Sequence, residues 1–160
     1  MKEYVKLDSL DKRILTAIQK DGTLTVQQVA DIVGLSTTPC WRRIKHLEDA
    51  GVIDRRVAIL NPYAIGLKGT VFVFVRTDQH DASWVERFTS AISEIPEILE
   101  CHRLTGNIDY LLKCVVRDVD HYDDVYKRLI ARVPSLIEMS ASFSMERLKE
   151  VTAIDCSTAL

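Results

Sequence analysis

The residues most suited to chemistry in this sequence lie in the stretch GLSTTPCWRRIK, positions 34–45. Stepping 100° per residue around a helix that buries Cys40 keeps Ile44 and Leu47 on the same apolar face. The opposite face carries hydroxyls and cations: Thr38, Arg42 and Lys45 point away from the core, flanked by Trp41 and His46. A helix with this outer face is suited to contacting a polyanion.

The chemistry available at this face is that of DNA contacts. Threonines at the start of the helix would donate to phosphate or touch a thymine methyl, Arg42 would read guanine with two hydrogen bonds, and Lys45 would contact phosphate. Arg43 lies nearer the buried flank, so pairing with an acidic residue of the first helix is an alternative. The candidate DNA-binding residues are Thr37, Thr38, Trp41, Arg42, Arg43, Lys45 and Arg55. A solvated basic surface would show the same charges.

A second candidate site is the stretch LTGNIDYLL, positions 104–112. Gly106 has the backbone freedom for a tight turn, and free amide donors there suit a carboxylate. Asp109 can accept hydrogen bonds from an ammonium group. Together these features would hold the two charges of a free amino acid. Gly, Asn and Asp are also common in hairpin turns, so a purely structural role remains open.

Three helices must position the first candidate site. Apolar residues at helical spacing predict a helix over about 8–20, and Thr25 with Gln28 forms the capping box of a second, short helix. Gly34 then allows a turn into the third helix, for which Ser36 is a suitable cap. The β-branched residues of GVIDRRVAILNP, 51–62, predict a two-stranded wing. The arrangement is typical of a winged helix-turn-helix, whose second helix enters the major groove.

The remainder of the chain has the pattern of a second domain. Asn61-Pro62 and Gly66 mark the boundary, which gives a DNA-binding domain at 1–60, a linker at 61–69 and a second domain at 70–160. The predicted elements are strands at 70–77, 98–105, 109–118 and about 136–149, with helices at 82–94 and 119–132. Their βαββαβ order is ferredoxin-like, so the fold class is α+β.

The first strand of this second domain, TVFVFVRT, is apolar on both faces. Helices of a ferredoxin-like fold cover only one face of the sheet, so the other face needs a cover as well. A second copy of the same sheet is the simplest cover, because a two-fold interface needs one self-complementary patch. A strand that is simply central in a larger core is the alternative. The sequence therefore predicts a homo-oligomer.

Composition excludes several classes of protein. No apolar run approaches the roughly 20 residues of a membrane span, and the start of the chain has no signal-peptide core, so we expect a cytoplasmic protein. Residues 1–60 hold 10 Lys/Arg against 8 Asp/Glu, a weak basic bias that permits DNA without requiring it. The four cysteines form no CxxC pair and predict reduced, mostly buried thiols. No metal-ligand spacing, GxSxG motif or P-loop occurs, so we expect no metal, no cofactor and no enzyme.

The motifs LDSLDKRIL, GLSTTPCWRRIKHLEDAGVI, LNPYAIGL and ECHRLTGNIDYLLK resemble the Lrp/AsnC (feast/famine) family of prokaryotic transcription regulators over nearly the whole chain. Within the family, the stretches STTPCWRRIKHLEDAG, YDDVYKRLIARVPSL and SFSMERLK together resemble most closely the DecR branch, whose members activate cysteine detoxification. The resemblance implies binding to double-stranded DNA, nucleoid association, assembly into dimers, tetramers or octamers, and response to a small amino acid. Cysteine is the favoured effector, with leucine or another amino acid as alternatives. A DNA-binding or architectural protein that needs no effector remains open, as does a thiol redox sensor.

The resemblance also places the effector site. In similar regulators the loop at 104–109 lies between dimers and binds the effector there, with residues of the last strand coming from an adjacent subunit. The implied effector-binding residues are His102, Leu104, Thr105, Gly106, Asn107, Asp109, Ser140 and Ser142. Many relatives carry an acidic residue where this chain has Asn107. For His102, a structural hydrogen bond within the strand is an equal alternative.

Overall fold

The computed structural model describes residues 4–133 and 136–158, which divide into two compact units. Unit 1 consists of the described residues up to Ile59 together with those from Lys149 onward. Unit 2 comprises Leu60–Leu148. The predicted second domain included 149–158, but in the structure this segment packs with unit 1. The outer ends of the predicted domains, at residues 1 and 160, lie outside the described residues.

Three helices form the body of unit 1, close to their predicted positions. They are α1 at Ser9–Lys20, α2 at Val26–Val33 and α3 at Thr37–Asp49. Asp8 and Asp11 close a capping box at the start of α1, and Thr25 and Gln28 close another at the start of α2. Gly34 ends α2 in a left-handed conformation with φ of 72°, which glycine adopts without steric cost. The short turn brings α3 across α2.

A small apolar core joins the three helices. Its buried members are Ile14, Leu15, Val29, Ala30, Val33, Cys40, Ile44 and Leu47. The predicted buried stripe of α3 is confirmed, since Cys40 and Leu47 are fully buried and Ile44 is almost so. The rotation of α3 about its own axis is therefore fixed, and this decides which side chains face solvent.

The two-stranded wing predicted for 51–62 does not form. No strand occurs between α3 and residue 61, all of which the structure describes. Gly51, with φ of 70°, turns the chain once after α3. Residues 54–60 contain no glycine, asparagine or proline that would reverse the chain a second time. The hairpin therefore lacks the turn that would join its two strands. Val57, Ile59 and Leu60 stay exposed in an extended segment, which leads into a 3-10 helix at Pro62–Ile65.

Unit 2 has the predicted βαββαβ order. Its elements are β1 at Gly69–Thr77, α4 at Ala82–Ser93, β2 at Ile98–Arg103, β3 at Tyr110–Val116, α5 at Val119–Arg132 and β4 at Leu136–Phe143. The strands form one antiparallel sheet in the order β2-β3-β1-β4. The ferredoxin-like prediction is confirmed, although β4 ends at Phe143 and not near 149. In the described part of the chain, no helix has the length and apolarity to cross a membrane.

The core of unit 2 lies between the sheet and its two helices. Val71, Val73 and Val75 on β1 are fully buried beneath them. The rings of Trp84 and Phe88 on α4 stack with centroids 5.0 Å apart. Phe72 and Phe74 point to the opposite face and are only half-buried. One face of the sheet is therefore covered by helices, and the other presents aromatic rings.

A half-buried ionic cluster ties the start of β2 to α5. Glu97 Oε1 lies 2.7 Å from a guanidinium nitrogen of Arg128 and 3.0 Å from His121 Nε2. The backbone N–H of Arg117 donates to His121 Nδ1, so the ring carries its proton on Nε2 and donates it to Glu97 Oε1. Burial raises the pKa of Glu97, but hydrogen bonds from Arg128, its own backbone and His121 outweigh burial, and the pKa falls to about 2. The charged form of Glu97 thus stabilises the folded chain.

The contribution of Glu97 to the free energy of unfolding should therefore decrease in acid. Because the folded pKa of about 2 lies below the ordinary 4.5, ionised Glu97 contributes fully above pH 4.5 and less as the pH falls toward 2. We expect Glu97→Gln to lower the free energy of unfolding by about 2 to 3 kcal/mol at pH 7, and the difference from the wild type to shrink between pH 4.5 and 2. Urea unfolding across this pH range measures it. The control is Glu94→Gln, which loses only an exposed pair with Arg132.

Candidate functional sites

The exposed face of α3 carries a free arginine beside an exposed aromatic ring. Arg42 makes no hydrogen bond or ion pair with any residue of 4–133 or 136–158. The ring of Trp41 is 53% exposed, although tryptophan is usually mostly buried. Among the described residues, neither side chain has a partner that would compete with a ligand. Arg42 lies on the side of α3 opposite Cys40, and Trp41 flanks that side, as the sequence predicts.

Arg43 has a different environment from its neighbour. Its NH1 atom lies 2.7 Å from Asp8 Oδ2 and 2.7 Å from Asp11 Oδ1, both at the start of α1. The backbone N–H of Asp11 and the Arg43 guanidinium lower the pKa of Asp8 below its ordinary value. The structure therefore places Arg43 in the alternative arrangement that its position on the helix suggested. This clamp fixes α3 against α1.

The start of α3 presents a second group of candidate residues. Ser36 occupies the capping position, but its side chain makes no capping hydrogen bond. Thr37 donates its hydroxyl to Gln27 Oε1 on α2, which ties the two helices together. Thr38 is exposed. Backbone donors at a helix N-terminus carry partial positive charge and favour phosphate, so an uncapped start leaves donors for that contact.

The remaining candidate cations form only exposed ion pairs. Lys45 Nζ lies 2.8 Å from Asp49 Oδ1 within α3, and Arg55 Nε lies 3.6 Å from Asp54 Oδ2 in the extended segment. Exposed pairs of this kind contribute about 0.2 to 1 kcal/mol and exchange readily for another anion. Thr38, Trp41, Arg42 and Lys45 therefore share one accessible surface. Thr37 and Arg43 are held by contacts within unit 1.

The candidate effector loop connects β2 to β3 and is closed by the backbone. The N–H of Leu104 donates to the carbonyl of Asp109 at 2.8 Å. Gly106 has φ of 119°, a conformation that strains other residues, so the sequence prediction of a glycine-dependent turn is confirmed. Within the described chain, the amides of 105–108 donate no hydrogen bond. These exposed donors are the part of the loop suited to a carboxylate.

Asp109 has structural partners as well as a free oxygen. Its Oδ2 accepts the N–H of Thr77 at 2.9 Å, and its own N–H donates to Val75 at 3.0 Å, so it fastens the loop to the end of β1. Oδ1 lies 4.0 Å from Nε2 of His80 and keeps room for a further donor. Sequence reasoning missed Thr77 and His80. The contact depends on a bulge in the strand pairing at Arg76/Thr77, for which the sequence has no glycine or proline signal.

The other predicted effector residues lie on the sheet face that the helices leave uncovered. The strand register places one row across this face: His102, Leu111, Phe74 and Ser140. A parallel row consists of Glu100, Lys113, Phe72 and Ser142. His102 and the serines lie on opposite edge strands, about 14 Å apart at the usual strand spacing. One copy of the chain does not bring them together.

Comparison with known proteins decides the family. Residues 70–154 match the Lrp/AsnC ligand binding domain, and residues 7–54 match a winged helix-turn-helix DNA-binding domain. The chain is also 43% identical over 148 residues to the DNA-binding transcriptional activator DecR of Escherichia coli K12, covering 92% of this chain and 97% of DecR. The chain belongs to the Lrp/AsnC family. It is therefore a DNA-binding transcriptional regulator with the family's ligand-binding domain, and the family is not enzymatic.

Other relatives and solved structures are similar to the chain over nearly its whole length. The glutamate uptake regulatory protein of Zymomonas mobilis is 46% identical over 149 residues, covering 93% of this chain and 90% of that protein. An AsnC family regulator from Agrobacterium tumefaciens superposes with a TM-score of 0.91 at 47% identity, covering 96% of this chain and all of that one. A Neisseria meningitidis regulator in complex with L-Met superposes with a TM-score of 0.88 at 30% identity, covering 94% and 97%.

The clamp around Arg43 gives a stability prediction. We expect Arg43→Leu to lower the free energy of unfolding by about 1 to 2 kcal/mol, because it leaves the carboxylates of Asp8 and Asp11 close together without a cation. The loss should shrink in 1 M NaCl, which screens their repulsion. Urea unfolding measures both effects. Arg42→Leu is the matched control and should change stability by less than about 0.5 kcal/mol; equal losses from the two variants would contradict the clamp.

Proposed function

We propose that this regulator binds double-stranded DNA as a homo-oligomer and that a small amino acid controls its assembly and DNA binding. Cysteine is the first effector to test, because of the resemblance to the DecR branch. The observation that carries the proposal is the surface of α3, where Arg42 and Trp41 are exposed while Arg43 is held by α1. A regulator that meets DNA acts where the DNA lies, so we expect it in the cytoplasm at the nucleoid.

The rigid placement of α3 supports base recognition by this surface. A recognition helix must hold its side chains in a fixed register against base edges in the major groove. Three contacts fix this helix: the buried stripe at Cys40 and Leu47, the Arg43 clamp and the hydroxyl bond between Thr37 and Gln27. The backbone of α3 therefore carries Arg42 outward at a fixed position, while its guanidinium has no partner among the described residues. An arginine anchored at its backbone in this way is suited to reading guanine.

Replacing Arg42 should reduce specific DNA binding. We expect Arg42→Ala to cost about 1 to 3 kcal/mol on a duplex selected by the wild type from a random-sequence library, with little change on unselected duplexes. Titration of labelled duplexes at fixed salt measures both constants. Arg87→Ala, an exposed arginine on α4 of unit 2, is the control. Equal loss on both kinds of duplex would make Arg42 a phosphate contact, and no loss on either would remove it from the interface.

The amino-acid response is supported by the loop and by the family. The exposed amides of 105–108 suit the effector carboxylate, and Oδ1 of Asp109 suits its ammonium group. Relatives are named for glutamate uptake and for response to leucine, and one solved relative holds L-Met. Side chains that differ by one or two methylenes are separated by only about 1 to 3 kcal/mol, so effector identity rests on pocket shape.

Self-association completes the proposed mechanism. The uncovered sheet face carries Phe72, Phe74 and Leu111, an apolar surface that a second copy would bury. Serines of β4 from an adjacent subunit would then approach the loop of the first. An effector bound between dimers would change their placement, and with it the spacing of recognition helices on half-sites about 34 to 36 Å apart. Effector binding and DNA binding would be coupled through assembly.

A thermal-shift panel of free amino acids tests the effector. An amino acid at 100 times its dissociation constant should stabilise the wild type by about 2.7 kcal/mol. We expect the shift to disappear in Asp109→Asn, which keeps an acceptor for the Thr77 amide but loses the charge that holds ammonium. Asp78→Asn, on the exposed loop after β1, is the matched control. A wild type that responds to no amino acid would support the effector-independent regulator.

A thiol redox sensor is disfavoured by the cysteines of the two cores. Burial raises the pKa of the Cys40 thiol, and burial with the charge of Glu97 raises the pKa of Cys114 to about 11. The reactive form of cysteine is the thiolate, so both thiols stay protonated and unreactive near neutral pH. Cys40 lies directly beside Trp41, yet its side chain faces the core of unit 1. A redox response would have to use Cys101 or Cys156, which are exposed and half-buried.

A further inference from the structure

The chain passes between its two units twice. It leaves unit 1 after Ile59 and returns from unit 2 at Lys149. The returning segment, residues 149–158, is called the strap here. It has no helix or strand until a 3-10 helix at Cys156–Thr158, so the position of residues 149–155 depends on contacts with other elements.

Gln19 on α1 holds the strap with both ends of its side-chain amide. The N–H of Ile154 donates to Gln19 Oε1 at 2.7 Å, and Gln19 Nε2 donates to the carbonyl of Ile154 at 3.1 Å. The amide thus pairs with the backbone as a neighbouring strand would. Nε2 also lies 3.5 Å from the sulfur of Cys156, which packs against the core of unit 1. Two bonds to one backbone residue fix position as well as direction.

The helix that holds the strap also holds the recognition helix. Asp11 and Gln19 lie eight positions apart on α1, about 12 Å along a single straight element. Near the start of α1, Asp8 and Asp11 clamp Arg43 of α3. Near its end, Gln19 clamps the strap. A change in the position of the strap would therefore act on α3 through one helix and two side-chain clamps.

The other end of the strap leads directly from the candidate ligand site. It follows β4, the strand that carries Ser140 and Ser142 on the uncovered sheet face. The N–H of Ser144 donates to the carbonyl of Thr70 on β1 at 2.8 Å, which pins the end of β4 to the middle of the sheet. Residues 145–148 then connect this pinned point to the strap. Covalent chain links β4 to Ile154 without an intervening regular element.

We propose that the strap is a second tether through which unit 2 controls the DNA-binding unit, with Gln19 as the positioning residue that couples them. The inference rests on the proposed function, because its signal is the amino acid bound near β4. Binding that shifts β4 is transmitted along the strap to α1 and from α1 to α3. The segment 54–61 remains the first tether, and its Arg56 forms an exposed ion pair with Glu48 on α3 at 3.2 Å.

The test compares two variants of the full chain with a matched control. Gln19→Leu removes both amide bonds and keeps the bulk of the side chain. Ile154→Pro removes the backbone donor to Gln19 and leaves α1 unchanged. Thr16→Val is the control, because Thr16 is exposed on α1 and its hydroxyl bonds only within that helix, to the carbonyl of Lys12. Calorimetry with the amino acid that shifts the wild type, taken from L-cysteine, L-methionine, L-leucine and L-glutamate, confirms that unit 2 still binds.

The readout is the ratio of DNA dissociation constants with and without that amino acid, on the duplex selected by the wild type. We expect both strap variants to have amino-acid dissociation constants within twofold of the wild-type value. Their ratio of DNA dissociation constants should lie at least fivefold closer to one than the wild-type ratio. Thr16→Val should keep the wild-type ratio. A full response in Gln19→Leu and Ile154→Pro would overturn the strap as a tether.

Hydrogen exchange separates this inference from the proposed function. If the wild type binds none of the four amino acids, the amino-acid response fails, but the tether still predicts coupling from the DNA side, since linkage is reciprocal. The selected duplex should then slow amide exchange in the strap and in β4 of the wild type and of Thr16→Val. In Gln19→Leu the protection should stop at α3 and α1. Equal protection of β4 in Gln19→Leu and the wild type would overturn the inference.

Discussion

The ion pair between Arg43 and two aspartates determines what the rest of α3 can do. Two arginines occupy consecutive positions on this helix, and consecutive positions differ by about 100° around its axis. The carboxylates of Asp8 and Asp11 hold one guanidinium against α1. The adjacent Arg42 is then exposed, and its backbone is held in a fixed direction. Without this pair, the helix would be located by its buried apolar stripe and by the bond between Thr37 and Gln27.

Unit 2 is organised around an unequal sheet. Valines of β1 face the helices and are fully buried, while the phenylalanines between them are half-exposed. On the exposed face, the two middle strands carry Phe72, Phe74 and Leu111, together with Lys113, which pairs with Glu100 on the edge strand. The side chains on both edges are polar. This pattern of apolar centre and polar rim is common at interfaces between subunits. The same face holds His102 and both serines, so a ligand site built across copies would form only when copies meet.

Local signals in the sequence were sufficient for most of the fold. Capping boxes at Asp8 and Thr25 and a 3.6-residue apolar period set the helices of unit 1, and alternation set the strands of unit 2. The wing failed because β-branched residues predict extended backbone but not its partner strand. The strap was missed because Gln19 and Ile154 are 135 positions apart, and nothing near either residue indicates the pairing.

The features of the candidate sites also divide into those predicted by local sequence and those that depend on distant contacts. The outward direction of Trp41 and Arg42 follows from helix geometry alone, and so does the glycine-dependent turn at Gly106. The bond from the Thr77 amide to Asp109 could not be predicted without the sheet pairing, because it joins the loop to a strand that is distant in sequence. That bond gives Asp109 a structural role in addition to its proposed role in ligand binding. A residue with two roles of this kind is hard to predict from sequence, because either role alone explains its presence.

The interleaved order of the two units has a consequence for synthesis. The helices of unit 1 leave the ribosome first, but the strap that packs on α1 emerges only after all of unit 2. Contacts between distant positions form late, because the loop that joins them must be closed at an entropic cost. Unit 2 can fold as one continuous segment, so its folding shortens that loop before the strap arrives. A nascent chain therefore forms its recognition helix early, and it forms the hydrogen bonds between Gln19 and the strap last.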